Sequence, residues 1–254
     1  MSAAAGHLAH IFRHPIKAHG REELASVRLS GGGSLPWDRT WAVAHDLSKF
    51  DPAAPAWVSC ANFQRGARTP AVMAIEARFD PETRHMRLTH PRLEPLEFDP
   101  ETEGARLIDW LAPISPTERF RPVALVRAPG RAMTDSDYPG VSIKNLASNA
   151  ALSAHMGRDL SIHRWRGNFW LDGFAPWEEF GWIGRRLKIG AAVIEIRERV
   201  GRCKATTVDP ATGEVDADTL GALREVVGAQ DFGVFGVVIE GGNVARGDRV
   251  EVLE

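Results

Sequence analysis

The sequence AVIEIRERVGRCKATTVDPATGE, residues 192–214, places a strand pattern, a cysteine and a turn in direct succession. Ala192–Val200 is rich in β-branched residues, as a β-strand would be. Cys203 follows between two cations, and Asp209–Glu214 has turn residues throughout, with Asp and Pro at its start and Gly near its end. A thiolate is a soft metal ligand and a strong nucleophile, so Cys203 is the first candidate for chemistry. The alternative is a small buried apolar side chain.

The cations beside Cys203 are not automatically its electrostatic partners. In an extended chain, Arg202 and Lys204 project to the face opposite the Cys203 sulfur. Any lowering of the thiol pKa would then come from more distant cations or from a metal.

Short apolar or alternating segments recur along the rest of the chain, and three stretches have helical patterns. This pattern predicts a mainly β protein with a few helices, built on a β-barrel rather than a doubly wound sheet. The predicted strands are 8–13, 24–30, 40–45, 71–79, 85–90, 123–126, 186–189, 192–200, 234–240 and 248–253. The predicted helices are 105–111, 145–156 and 218–227, and the predicted turns include 31–34, 80–83 and 241–243.

The proline-rich segment Ala112–Pro116 is the best candidate for a domain boundary. It divides the chain into an N-terminal β domain, residues 1–112, with a barrel-like or curved sheet, and a second β-barrel domain, residues 113–254.

Composition excludes several classes of function. A net charge of −2 and a pI near 6.5 give no electrostatic basis for binding nucleic acid or an anionic membrane surface. Two distant cysteines, Cys60 and Cys203, do not form a disulfide framework or a cysteine-based zinc site. No apolar run approaches the ~20 residues of a membrane span, so we expect a cytoplasmic protein.

Three cations stand in unusual local sequences. Lys17 follows His14-Pro15-Ile16, Arg39 lies between Trp37-Asp38 and Thr40-Trp41, and Arg166 lies between Trp165 and Gly167. A cation at a strand end usually faces solvent, but an anionic ligand held beside Cys203 would account for all three. We interpret His14 and His19 as surface histidines, because their spacing across a proline suits no shared metal.

The order of these motifs resembles that of MOSC-domain proteins, named for the C-terminal domain of molybdenum cofactor sulfurase. It also resembles the β-barrel region that precedes this domain in the mitochondrial amidoxime-reducing component and its bacterial relatives. The matching motifs are His14-Pro15-Ile16-Lys17, Trp37-Asp38-Arg39-Thr40-Trp41, Val141-Ser142 with Asn145-Leu146-Ala147-Ser148, Arg164–Asn168, Leu171-Asp172-Gly173, Pro176-Trp177, Arg202-Cys203, Thr206–Asp209 and Thr212-Gly213-Glu214.

The resemblance implies a role for each of these site residues. Cys203 would be the protein ligand to molybdenum and the catalytic centre. Residues that would hold the pterin and its phosphate, or shape the loop at the metal, are Lys17, Arg39, Ser142, Arg166, Asn168, Thr206 and Asp209. The chain departs from the family at Ala18, often Ser, and at Gly167, often Pro, and both departures concern fine cofactor contacts rather than the metal ligand.

The same resemblance implies that the protein would be a molybdopterin-dependent oxidoreductase, reducing N-hydroxylated or N-oxide small molecules by oxygen-atom transfer. The chain has no cysteine cluster for an iron–sulfur centre, so a separate electron-transfer protein would supply the electrons. Pyridoxal phosphate, also associated with MOSC domains, is disfavoured because no lysine stands out for a Schiff base.

Three alternatives use some of the same residues. One is a non-enzymatic carrier of molybdenum cofactor, and another is a sulfur-transfer protein with a persulfide on Cys203. The third is a barrel that has lost its cofactor, which the presence of Cys203 with all three cations disfavours. A group of aromatic side chains could line a substrate surface but is better explained as core, and comprises Trp165, Phe169, Trp170, Phe174 and Trp177.

Overall fold

The structure is a computed structural model that describes residues 5–253. Within this range the chain forms mostly strands, namely β1 (Ala5–Arg13), β2 (Glu22–Leu24), β3 (Ser26–Leu29), β4 (Ala42–His45), β5 (Glu76–Phe79), β6 (Met86–His90), β7 (Leu93–Phe98), β8 (Pro122–Val126), β9 (Val141–Asn145), β10 (Phe169–Asp172), β11 (Arg186–Ile189), β12 (Ala192–Gly201), β13 (Asp231–Glu240), β14 (Gly242–Ala245) and β15 (Arg249–Leu253). The α-helices are α1 (Gly104–Leu111), α2 (Leu146–Met156) and α3 (Thr219–Val227). The 3₁₀ segments are Cys60–Asn62, Pro70–Ala74, Ala112–Ile114, Ile162–Trp165, Glu178–Trp182 and Lys204–Thr207.

Seven strands close into a barrel in the order β10-β9-β13-β12-β11-β15-β1, because β1 pairs both with β15 and with β10. The pairs are antiparallel except for the parallel pair β9–β10. Alternate side chains of each strand point inward, as the twofold repeat of a strand requires. The apolar barrel core includes Leu8, Ile11, Val141, Ile143, Phe169, Leu171, Leu187, Ile189, Ile194, Ile196, Val234, Val238, Val250 and Val252.

A second apolar layer covers the outer face of β9, β10 and β13. Helices α2 and α3 pack there over an aromatic group in which the rings of Trp165 and Phe232 stack with centroids 3.8 Å apart. Trp170 completes this group, and both tryptophans are fully buried. Four of the five aromatic residues proposed as core are buried and Trp177 is partly buried, so the core interpretation is confirmed.

The N-terminal region forms a smaller β unit beside the barrel. Strands β5, β6 and β7 make a meander, β4 pairs with β8, and helix α1 packs on their apolar side. Strand β1 belongs to the barrel, and β3 pairs with β14 near the C-terminus. Strands from the first part of the sequence therefore pair with strands from the second part. The domain boundary at 112/113 stays a prediction.

The mainly β fold with a barrel and three helices is confirmed, and several local predictions are exact to within a few residues. Helix α2 begins after Asn145, whose side chain accepts a hydrogen bond from the Ala147 N–H, and ends at Gly157 with φ 62°. Both are the cap residues that sequence signals for a helix indicate. Within residues 5–253, no helix combines the length and apolar character needed to cross a bilayer.

Other local predictions are wrong. The strand expected over 24–30 is split at Ala25, because β2 pairs with β1 and β3 with β14. The strand expected over 71–79 begins only at Glu76, since Pro70 starts a 3₁₀ turn that buries residues 71–74. The tight turn expected at 241–243 is instead the start of β14. Strands β9 and β10 lie outside the predicted strands, because buried strands lack a polar alternation. Strand β7, which contains Pro95 and is half exposed, also lies outside them.

Candidate functional site

Lys17 lies where β1 has ended and the chain crosses toward the N-terminal unit. Pro15 has no N–H to continue the β1 ladder, and its carbonyl oxygen accepts the Trp41 N–H. The Lys17 N–H donates to the Trp41 carbonyl oxygen, which fixes the backbone on both sides of the lysine. The side chain is 7% exposed, and Nζ donates to the Met133 carbonyl oxygen at 2.8 Å and to Asp135 Oδ1 at 2.5 Å.

Arg39 follows a buried carboxylate, Asp38, with which its Nη1 forms an ion pair. Asp38 Oδ1 also accepts the His14 N–H at 2.7 Å. Burial alone would raise the pKa of Asp38, but the Arg39 charge and the His14 hydrogen bonds hold it far below its ordinary value. Asp38 is therefore an anion that anchors Arg39 and the chain at His14.

Arg39 and Arg166 are joined directly. Arg39 Nη2 donates to the Arg166 carbonyl oxygen at 2.9 Å, and the Arg166 guanidinium lies near the Ile16 carbonyl oxygen. Both arginines have left-handed backbone, with φ 49° and 46°. Residues other than glycine reach this region at a cost of about 1–2 kcal/mol, and such strain concentrates at functional sites.

Arg202 connects this group to the cysteine. Its backbone N–H donates to the Gln230 carbonyl oxygen at 2.7 Å, and Nη2 donates to the Trp165 carbonyl oxygen at 2.8 Å. Burial lowers the pKa of Arg202, while the charges of Cys203 and Asp135 oppose this effect and that of Arg39 adds to it. Cys203 has extended backbone and is exposed, as is Lys204.

We name Lys17, Arg39, Arg166 and Arg202 the cation cluster. Burial lowers the pKa of Arg166 well below its ordinary value, and the neighbouring charge of Arg39 lowers it further. Two carboxylates, Asp38 and Asp135, face these four cations, so the cluster keeps an excess of positive charge. Within the described residues, the buried Arg202 Nε has no hydrogen-bond partner. A cluster of this composition favours an anionic ligand.

The predicted cofactor contacts Ser142 and Asn168 bind each other. Ser142 Oγ donates to Asn168 Oδ1 at 2.9 Å, and the Asn168 N–H donates to Ser142 Oγ at 3.0 Å. Asn168 Nδ2 donates to the Phe12 carbonyl oxygen. Both side chains are buried, and in this arrangement they tie β9 and β1 to the loop that carries Arg166.

Thr206 and Asp209 shape the segment after Cys203. Thr206 is fully buried, and its hydroxyl contacts the Cys203 carbonyl oxygen at 3.1 Å and the Thr219 hydroxyl at 2.8 Å. Asp209 closes its turn, with its carbonyl oxygen accepting the Gly213 N–H and its carboxylate accepting the Ala211 N–H. Through these hydrogen bonds both residues hold the loop that follows Cys203.

Two cavities of the described structure are lined neither by Cys203 nor by a member of the cation cluster. The larger, about 790 Å³, lies between the barrel and the meander and is lined by Arg21 and His163. Burial lowers the pKa of His163 to about 4, and the Arg21 charge contributes to this shift. The smaller, about 280 Å³, is lined by Trp37 and Asp38. Among residues 5–253, no group of three or more His, Cys, Asp or Glu side chains is arranged to hold a metal ion.

Some site residues escaped the sequence analysis. His14 and His19 are buried, 2% and 0% exposed, so their interpretation as surface histidines is wrong. They are buried because the segment after β1 passes between the barrel and the N-terminal unit. The sequence marks Arg202 only as a neighbour of Cys203, because its partly buried position near Trp165 and Asp135 depends on long-range packing. Asp135 sits in an irregular segment that carries no pattern.

Two sequence models of known families match this chain. The MOSC N-terminal beta barrel domain matches residues 5–111, and the MOSC domain matches residues 133–251. The chain belongs to the MOSC-domain family. The MOSC match contains β9, β10, Arg166 and Cys203, and the N-terminal match contains Lys17 and Arg39, so the cation cluster draws residues from both matched regions.

Similarity to individual MOSC-related proteins is more distant. The molybdenum cofactor sulfurase of Caenorhabditis briggsae is 33% identical over 131 residues, which are 50% of this chain and 18% of that protein. The chain therefore corresponds to a small part of that relative's length. The solved YUAD protein of Bacillus subtilis is 12% identical over 98% of this chain and 95% of its own, with a TM-score of 0.46. YiiM of Geobacillus stearothermophilus is 16% identical over 45% and 54%, with a TM-score of 0.36.

Proposed function

We propose that this MOSC-domain protein binds molybdenum cofactor at the cation cluster and Cys203, and uses it to reduce N–O bonds. The observation that carries the proposal is the position of Cys203, an exposed soft thiol, directly after Arg202, a member of the partly buried cation cluster. MOSC domains are associated with molybdenum cofactor, and the relative named molybdenum cofactor sulfurase supports the same association.

The donor set fits an anionic, sulfur-rich cofactor. The excess positive charge of the cation cluster and the unpartnered Arg202 Nε suit a pterin phosphate, for which guanidinium groups are good ligands. The exposed Cys203 thiol suits a molybdenum centre whose other sulfur ligands come from the pterin. Lys17, Arg39 and Arg166 would hold the anionic end, while Cys203 would bind the metal.

Each element of the chain then has a separate task. When bound, molybdenum cofactor supplies the two-electron chemistry of N–O bond reduction, which consumes two protons and releases water. Asp38 keeps Arg39 in place, and the Ser142–Asn168 pair fixes the loop before β10. Thr206 fixes the backbone that presents Cys203. The resemblance to the amidoxime-reducing component is the basis for N-hydroxylated small molecules as substrates and for a separate electron-transfer protein as partner.

Metal analysis tests the binding step. Protein from a host that makes molybdenum cofactor would be assayed by elemental mass spectrometry and released-pterin fluorescence, as wild type, Cys203→Ser and the control Cys60→Ser. We expect about one molybdenum per chain in wild type and Cys60→Ser, and loss of the metal in Cys203→Ser. Well-folded wild type with neither metal nor pterin would refute the proposal.

Turnover separates an enzyme from a carrier. Loaded wild type would be supplied with a reduced viologen and, in turn, an amidoxime, a hydroxylamine and an N-oxide. If the protein is an enzyme, it oxidises the reduced viologen in the presence of at least one of these three substrate classes. The Cys203→Ser variant should lack this activity. Full cofactor occupancy with no turnover of any class would favour the carrier.

The exposure of Cys203 also favours a second candidate, sulfur transfer through a persulfide. It predicts sulfur that cyanide releases from wild type and Cys60→Ser but not from Cys203→Ser. Molybdenum without cyanide-labile sulfur would exclude this candidate.

A further inference from the structure

The carboxylate of Asp135 lies on the cation cluster. Its Oδ1 accepts a hydrogen bond from Lys17 Nζ at 2.5 Å, and the charges of Lys17, Arg39 and Arg202 all act on it. Asp135 therefore partly neutralises the charges that would bind an anionic ligand.

The two partners of this ion pair differ in how firmly they are held. The Lys17 side chain is 7% exposed and keeps a second acceptor, the Met133 carbonyl oxygen. The Asp135 side chain is 79% exposed, and its carboxylate has this one lysine as its hydrogen-bond partner among the described residues. Loss of the pair would leave Lys17 in place while Asp135 turned into solvent.

The backbone on both sides of Asp135 is fixed, so its side chain can move alone. Trp57 Nε1 donates to the Thr134 carbonyl oxygen at 3.0 Å. The Ser136 carbonyl oxygen accepts hydrogen bonds from Arg131 Nη2 and Thr134 Oγ1, both at 3.2 Å. A rotation about the Asp135 side-chain bonds would clear the cluster without rearrangement of the loop.

We propose that Asp135 is a built-in competitor that holds the cation cluster until an external phosphate group displaces it. This inference rests on the proposed function for the identity of the ligand, but the competition concerns any phosphate. A carboxylate carries one negative charge, so a phosphate dianion is better able to displace it than a singly charged anion is. Asp135 thereby selects for phosphate-bearing ligands over weakly binding, singly charged anions.

Calorimetric titration with inorganic phosphate tests the competition at neutral pH and constant ionic strength. The proteins are wild type, Asp135→Asn and Asp137→Asn, each without metal or pterin. Asp137 is exposed, lies in the same loop and loses the same charge, which makes it a matched control. We expect Asp135→Asn to bind phosphate about tenfold more tightly than wild type, while Asp137→Asn binds as wild type does.

A third variant locates the effect. Adding Lys17→Met to Asp135→Asn should abolish the gain in phosphate affinity. The proposal is overturned if Asp135→Asn binds phosphate no better than wild type, if Asp137→Asn gains equally, if the gain survives Lys17→Met, or if phosphate binds none of the proteins.

Selectivity and folding complete the test. Acetate, a singly charged anion, should gain measurable binding in Asp135→Asn, and its continued exclusion would contradict the selective role. Asp135→Ser, with thermal unfolding of each variant, provides a second substitution if the asparagine disturbs the loop. Because no step requires molybdenum, failure of the metal analysis and failure of this competition are separate results.

Discussion

Arg39 and Arg166 are joined by a hydrogen bond from Arg39 Nη2 to the Arg166 carbonyl oxygen, and each has left-handed backbone. They lie 127 positions apart in the chain, one in each of the matched family regions. Both residues of this contact therefore have an unfavourable backbone conformation. This indicates that the surrounding packing holds the two loops in conformations that they would not adopt in isolation.

Arg39 is expected to stabilise the protein as well as to bind ligand. Arg39→Met would leave the buried Asp38 carboxylate without its guanidinium partner, and breaking a buried ion pair costs about 3–5 kcal/mol. We expect urea unfolding to show a loss of about 3 kcal/mol. Arg28→Met, at an exposed strand position of β3, is the control and should be nearly neutral. Equal stability of the two variants would contradict the role of the Arg39–Asp38 pair.

Because His19 is buried, we expect the protein to lose stability as the pH falls below 6.5. Its two ring nitrogens lie 2.7 Å from the Lys17 carbonyl oxygen and 2.9 Å from Gln64 Oε1, contacts that favour the charged ring. Burial outweighs them and lowers the pKa of His19 from 6.5 to about 4. Between these pH values the unfolded chain binds the proton and the folded chain does not, so stability falls as pH falls.

The expected size of this effect is about 3 kcal/mol between pH 6.5 and about 4. It would be measured as the free energy of unfolding in urea across that range. His19→Gln should flatten the pH dependence by about this amount, whereas exposed His7→Gln should not change it. Parallel curves for wild type and His19→Gln would contradict the assignment. His163, with its pKa lowered to about 4, contributes a residual slope of the same sign.

Asp216 fixes the end of the Cys203 loop. Its two carboxylate oxygens accept from Arg164 Nη1 and Nη2, both at 2.7 Å, and the Arg164 side chain is only 2% exposed. Asp216→Asn should leave Arg164 buried without its counter-charge and lower stability by about 3 kcal/mol in urea unfolding. Asp159→Asn, exposed and near this pair in sequence, should be neutral, and a neutral Asp216→Asn would show that the pair is replaceable by water.

The structure gives a physical reason for a glycine at position 167. A Cβ at this position would lie 2.4 Å from Lys144 Cγ and 3.2 Å from Trp170 Nε1. Gly167→Ala should therefore cost about 1–3 kcal/mol through overpacking, measured as a lower unfolding midpoint. Gly181→Ala, which meets no atom within 4 Å, is the control. An unchanged midpoint for Gly167→Ala would mean that Lys144 can move aside.

The elements that sequence predicts well are those whose signals are local. Alternation in Arg186–Ile189 and Ala192–Gly201 indicates the hairpin of β11 and β12, and Asn145 and Gly157 delimit α2. The closure of the barrel by β1 is not local, because its partners lie in two distant parts of the chain. No pattern in 5–13 identifies those partners.

The candidate site divides in the same way. Cys203 and the three cations proposed with it could be selected from their residue types and neighbours. The position of Asp135 against Lys17, 118 residues away, follows only from the folded chain. The sequence motifs single out Ser142 and Asn168 as polar residues of the site. They do not reveal that the two side chains are hydrogen-bonded to each other in the folded protein.

The pairing of β1 with β15 joins residues 5–7 to residues 249–251. Strand β1 therefore has an edge that is covered only when β15, far along the chain, has formed. Contacts of such long sequence separation form slowly and leave unpaired edges exposed meanwhile. Lys17 comes shortly after β1, so we expect the cation cluster to reach its final arrangement only when the barrel closes.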